Sequence, residues 1–187
     1  MEAIFTLLYS EYAVAEELNR ILKKHGYSVY IPASRSQKGV DLIINKNATN
    51  NMARVQIKAS RSYKGKGKKS HINYLWFRNF EGRYKKGDVD FYILFGLYPQ
   101  PSIKKGVNSK NIWKSIFLCF NETEMFEFLA GVKTKGGRRD SFFGFSFDSA
   151  KKIHATKNEK IDVSGFLLEK KIGELKFFLD NGVQNEK

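Results

Sequence analysis

The sequence predicts one α/β (α+β) domain over residues 1–187, built on a central mixed β-sheet flanked by helices. Three observations predict it. Apolar residues recur at helical spacing near the start of the chain and again near its end. Between those stretches lie short β-branched and aromatic runs, several of them alternating. No internal repeat and no long linker divides them, so the economical arrangement is a sheet with helices packed on it.

Taken in order, Tyr9 to His25 carries Tyr12, Ala15, Leu18, Ile21 and Leu22 on one helical face, with Ser10 as cap and Gly26 as stop. Tyr27 to Pro32 alternates through Val29 and Ile31 and reads as a short strand. Arg35 to Gly39 is a turn, Val40 to Ile44 a strand, Asn45 to Asn51 a polar hairpin loop, and Met52 to Ala59 the next strand. Arg61 to Lys69 holds five basic residues and two glycines and reads as a mobile loop. It is either a solvated hairpin tip or an arm that neutralises phosphates. Ile72 to Phe77 is aromatic-rich and ambiguous between strand and helix. Asp88 to Phe95 and Ser115 to Phe120 are strands, and Glu122 to Leu129 is a short helix. Ser141 to Asp148 places Phe143, Phe145 and Phe147 on one strand face. Leu167 to Leu179 closes the chain as an amphipathic helix through Leu168, Ile172, Leu175 and Phe178.

Composition narrows the partners. Hydrophobic residues make up 42% and aromatics 14%, which rules against a disordered chain. Lys and Arg number 33 against 19 Asp and Glu, a net charge of +14, and a field of that sign draws polyanions, of which nucleic acid is the commonest. The single cysteine, Cys119, permits no internal disulfide, and its apolar run suits a buried thiol. His25, His71 and His154 are scattered, which disfavours zinc. No apolar stretch approaches the ~20 residues of a membrane span, and the amino terminus makes a poor signal peptide, so a reducing, cytoplasmic setting is expected.

One constellation carries chemistry. Phosphodiester hydrolysis with a hard cation needs clustered oxygen ligands and a positive charge near the attacked phosphate. Asp41 would project from one strand, while Gln56 and Lys58, two apart on the next, emerge on a common face. Ile57 between them points to the core, leaving its carbonyl free to face a metal. Glu11, on the first turn of the preceding helix, adds a fourth oxygen.

The order of a Glu-bearing helix, Gly39-Val40-Asp41, and fifteen positions after Asp41 the run Gln56-Ile57-Lys58 resembles the PD-(D/E)XK nuclease superfamily, restriction-endonuclease-like and Holliday-junction-resolvase-like. The resemblance covers residues 9–60, with weaker support from Asp88-Val-Asp-Phe-Tyr. It implies a restriction-endonuclease-like core and a Mg²⁺-dependent endonuclease hydrolysing DNA (restriction-, homing- or resolvase-type), with Mn²⁺ as the substitute ion. The catalytic residues implied are Glu11, Asp41, Gln56 and Lys58, with Glu11, Asp41, Gln56 and the Ile57 carbonyl as metal ligands and Lys58 orienting the attacking water. A homodimer follows from the same resemblance. Two positions depart from the pattern: Val40 stands for the usual proline, and Gln56 for the usual Asp or Glu. An amide is the poorer Mg²⁺ ligand, so the alternative is a catalytically inactive nucleic-acid-binding module on a nuclease-like fold.

For grip on phosphates the candidates are Arg35, Lys38, Arg61, Lys64, Lys66, Lys68, Lys69, Arg138 and Arg139. The plain readings remain open: Asp41 as a strand-edge turn residue, Lys58 as an exposed strand cation, Glu11 as a complement to the helix dipole. Gly65-Lys-Gly and Lys135-Gly-Gly-Arg lack P-loop spacing, and no Ser-His-Asp arrangement suggests itself.

Overall fold

A computed structural model describes residues 3–32, 39–49, 51–69, 71–83, 85–100, 112–149, 152–157 and 161–182. The chain runs α1 (Ala3–Leu22), β1 (Tyr27–Tyr30), β2 (Leu42–Lys46), β3 (Met52–Arg61), β4 (Tyr63–Lys64) and β5 (Asn73–Arg78). It continues with β6 (Phe91–Gln100), β7 (Ile112–Asn121), α2 (Glu122–Ala130), β8 (Phe142–Ser149), β9 (Lys152–Ala155) and α3 (Leu168–Asn181). The result is a mixed α+β architecture with two sheets. The central one has five strands in the order β1-β2-β3-β6-β7, and the second has four in the order β4-β5-β8-β9. Within the central sheet β3 and β6 run parallel, and the remaining pairs are antiparallel.

The layers follow from which residues alternate inward. On one face of the central sheet Leu42, Ile44, Ala53, Val55, Ile57, Phe91, Ile93 and Phe95 pack against Val14, Leu18 and Leu22 of α1 and Leu168, Leu175 and Leu179 of α3. On the other, Tyr92, Leu94, Ile116, Leu118 and Phe120 meet Leu75 and Phe77 of β5, Phe143, Phe145 and Phe147 of β8, and Met125 and Leu129 of α2. Strand β6 is therefore covered on both faces, which is why Phe91-Tyr-Ile-Leu-Phe95 is apolar without alternation. Each fully buried phenylalanine in these layers contributes about 1.5–3 kcal/mol relative to exposure.

Several boundaries differ from those the sequence predicts. Helix α1 begins at Ala3, so Ser10 is a buried mid-helix residue rather than a cap, and Glu11 lies two turns inside the helix. Strand β2 starts at Leu42, which leaves Asp41 just ahead of it. The ambiguous run at Ile72 is a strand. The basic stretch 61–69 is a hairpin rather than a mobile loop, with the end of β3, β4 and a 3-10 turn at Gly67–Lys69, closed by Gly65 N donating to Ile72 O at 3.0 Å. Strand β9 was not foreseen. The thiol of Cys119 is fully buried, and burial pushes its pKa up to about 12. Among the described residues no helix is long and apolar enough to cross a membrane.

Candidate functional site

Strand β3 sorts its residues by parity. Ala53, Val55 and Ile57 are buried against the helices, while Arg54, Gln56, Lys58 and Ser60 emerge half-buried on the opposite face. The β2–β3 register pairs Leu42 with Val55, and one further step places Asp41 across from Gln56. Asp41 N donates to Val55 O at 2.9 Å, and its Oδ2 accepts from Ile57 N at 2.7 Å. A carboxylate thus takes the place of the next backbone acceptor and is fixed where the strand pair ends. Gly39 precedes it with a φ of +96°, the left-handed region that favours glycine.

Asp41, Gln56, Ile57 and Lys58 line one cleft of about 610 Å³. Its far wall is Trp76 to Phe80, running off the end of β5, and its rim carries Arg78, Arg83, Lys85 and Asp88. Ser60 Oγ accepts from Trp76 N at 3.2 Å, which joins β3 of the central sheet to β5 of the second. Lys58 Nζ stands 5.3 Å from the centroid of the Phe80 ring. Burial lowers its pKa below the ordinary lysine value, against the pull of the Asp41 charge.

Glu11 is 5% exposed on the face of α1 that carries Val14 and Leu18, and it is not among the residues lining the cleft. Asp90 accepts from Arg54 at its backbone N (2.7 Å), Nε (3.1 Å) and Nη2 (2.9 Å), locking the start of β6 to β3.

The expected phosphate-gripping residues divide. Arg35 and Lys38 lie outside the described residues. Lys64, Lys66, Lys68 and Lys69 are exposed on the β4–β5 hairpin, away from the cleft lining, and Arg61 covers the Tyr63 ring at 5.6 Å. Arg138 is exposed, while Arg139 Nε pairs with Glu81 Oε2 at 2.7 Å, on the turn that also bears Arg83. Sequence reasoning missed Arg78, Arg83 and Lys85. The run Arg78-Asn-Phe-Glu-Gly-Arg-Tyr-Lys-Lys86 holds the signal, a basic, glycine-containing loop leaving a strand, but only pairing β5 beside β3 shows where it points.

The donors gathered where β2 and β3 part are the Asp41 carboxylate, the Gln56 amide and the Ile57 carbonyl, with the Asp88 carboxylate on the rim. Among the described residues no three of His, Cys, Asp and Glu gather into a metal-binding group. The set still suits Mg²⁺, which is commonly held by one or two carboxylates with water and substrate phosphate completing the shell. No protein-family model matches this sequence, and no curated protein is significantly similar to it.

Proposed function

We propose that this cleft is the centre of a Mg²⁺-dependent endonuclease hydrolysing DNA phosphodiester bonds, on a restriction-endonuclease-like core of the PD-(D/E)XK kind. One observation carries the reading: Asp41 faces Gln56 across a strand pair, with Lys58 two residues on, in a single cleft rimmed by Arg78, Arg83 and Lys85. A concave site holding a perturbed lysine and convergent oxygens is what phosphoryl chemistry uses.

Asp41, Gln56 and the Ile57 carbonyl are the residues that would hold the ion. Bound there, Mg²⁺ supplies charge neutralisation at the phosphate. The chain does the rest. Arg78, Arg83 and Lys85 attract the phosphodiester backbone and fix it along the rim. Lys58 orients the attacking water, and its lowered pKa brings the amine nearer to accepting a proton from it. The hydrogen bond from Ile57 N keeps Asp41 from swinging onto Lys58 and closing the site as an ion pair.

A second reading rests on Gln56 itself. With an amide where a carboxylate would serve better, the fold would bind DNA without cutting it. Plasmid and branched DNA incubated with Mg²⁺ test the first reading, with Asp41→Ala and Lys58→Ala as comparisons. Equal cutting by all three proteins, or cutting that survives EDTA, defeats it. Calorimetric titration with Mg²⁺ separates the two readings: binding lost in Asp41→Ala supports the enzyme, and salt-dependent DNA binding without metal binding supports the module.

A further inference from the structure

The second sheet buries only one of its faces. Leu75, Phe77, Phe143, Phe145, Phe147, Ile153 and Ala155 point into the core. The alternate positions point outward, and their register places them side by side. Tyr63 pairs with Tyr74, Trp76 with Gly144, and Arg78 with Phe142. Four aromatic rings therefore occupy the outer face of three adjacent strands. Tyr63 is 51%, Trp76 37% and Phe142 52% exposed, and Tyr74 is half-buried between its neighbours.

The face is shaped as well as aromatic. Gly144 lies against the Trp76 indole: a Cβ there would meet the Leu75 carbonyl oxygen and, at 2.7 Å, the indole Cε3, so only glycine lets the ring pack this close to β8. Cations lie beside it. The β4–β5 hairpin carries Lys64, Lys66, Lys68 and Lys69, Arg61 stands 5.6 Å from the Tyr63 centroid, and Lys157, paired with Asp140, holds its Nζ 5.7 Å from the Trp76 centroid. Exposed rings beside a lysine-bearing hairpin meet the two needs of an unpaired strand, base stacking and phosphate neutralisation. A duplex hides its base faces and would leave the rings unused. A protein partner would have to bring acidic groups to both rims and flat apolar groups between them.

We propose that the outer face of β4, β5 and β8 binds an unpaired nucleic-acid strand, whose bases stack on Tyr63, Tyr74, Trp76 and Phe142. This surface meets the nuclease cleft at Trp76, which also lines it, but binding here needs no metal.

The test uses the full chain in EDTA, with labelled oligo-dT and oligo-U of about 15 nucleotides, long enough to cross such a site, and a blunt duplex as competitor. The ratio of the two single-strand affinities names the preferred sugar. Alanine at Tyr63, Tyr74 or Phe142 should weaken the preferred single strand by ~5-fold or more each, while Tyr63→Phe and Tyr74→Phe keep the affinity. In a Trp113→Phe background Trp76 is the remaining tryptophan. Its emission should be quenched by the oligonucleotide and not by polyphosphate, which carries charge without bases. Unchanged affinity in the alanine variants, equal quenching by polyphosphate, or no single-strand binding overturns the proposal. Thermal melts of each variant separate lost stacking from lost folding. Absence of Mg²⁺-dependent cutting would sink the nuclease reading alone, since no arm of this experiment depends on cleavage.

Discussion

Lys58 and Lys171 are the same residue in similar surroundings, and they are treated in opposite ways. Each lies beside a phenylalanine ring, Lys58 at 5.3 Å from Phe80 and Lys171 at 5.8 Å from Phe166. Lys171 Nζ donates to Glu124 Oε1 at 2.7 Å and also to Glu174. Burial pulls its pKa down, but the hydrogen bonds to Glu124 and Glu174 outweigh that and raise it overall. For Lys58 burial wins, and the charge of Asp41 only moderates it. The difference lies in the partners. Asn121 and Glu124 form a capping box at the start of α2, Asn121 Nδ2 donates to Glu174 Oε1 at 2.6 Å, and Lys171 closes the network between α2 and α3. At Lys58 the nearest carboxylate is already committed to a backbone N–H. A lysine saturated by carboxylates stabilises the fold, whereas an under-partnered one is available to a substrate.

The largest expected effect separates these roles. Lys58→Ala should lower DNA cleavage by at least ~10²-fold while the melting curve stays where it was. Lys171→Ala should lower the melting temperature and leave cleavage per folded molecule intact. The comparison breaks if the two variants exchange phenotypes, or if Lys58→Ala simply unfolds.

Next in size is the stability of the α2–α3 junction. Lys171→Met removes the cation from between Glu124 and Glu174, leaving two carboxylates and an amide facing one another. The expected loss is ~2–3 kcal/mol, below the full cost of a wholly buried pair because both glutamates are partly exposed. Urea unfolding midpoints at neutral pH measure it, and a loss near zero would mean the network is solvated.

How much of this was legible beforehand depended on sequence range. Strands β3 and β8 follow from local alternation, β6 and β7 from continuous apolar runs and helix α3 from helical spacing, and the strand parity of Gln56, Ile57 and Lys58 holds as read. The early turns of α1 were missed because Ala3-Ile-Phe-Thr-Leu-Leu8 offers neither a cap nor a polar face to mark a start. β9 is four residues between polar stretches, too short for a pattern to stand out. The second sheet depends on β5 meeting β8 across more than sixty residues, which no local period encodes. For the same reason Arg78, Arg83 and Lys85 could not be assigned to the cleft. Glu11 was placed by motif order, and only packing shows which side of the sheet its helix covers.

Gln56 sharpens the contrast from the other side. A carboxylate there would give the cleft more of what surrounds Lys171. Gln56→Glu should tighten Mg²⁺ binding roughly tenfold, because it adds a negative charge across the strand from Asp41. It should also raise the pKa of Lys58 and bias it toward an ion pair, so cleavage need not improve. Gln56→Ala should weaken the ion. Calorimetric titrations of the three proteins decide this, and identical affinities would reduce Gln56 to a strand residue.

The smallest expected effect is on stability at Lys58 itself. Its native pKa lies below the ordinary value of about 10.4, so at neutral pH the folded chain holds a charge that its surroundings disfavour. Between the native and unfolded pKa values the unfolded chain binds more protons, and stability therefore rises with pH across that window. Lys171 has the opposite sign. Its raised pKa contributes stability that is complete below the unfolded value and is lost as pH rises through the folded one. Lys58→Met keeps an unbranched side chain one atom shorter over Phe80 and removes the charge. It should stabilise the protein by ~0.5–1 kcal/mol at pH 7, as expected where a group is strained for function. That gain should shrink as pH approaches about 10, because the wild-type amine then becomes neutral and the penalty disappears. Paired urea titrations of wild type and Lys58→Met across pH 7 to about 10 measure the difference, which cancels the other alkaline titrations common to both chains. A gap that stays constant with pH would mean that the lost charge is not its source, and that Lys58 is solvated well enough to need no partner.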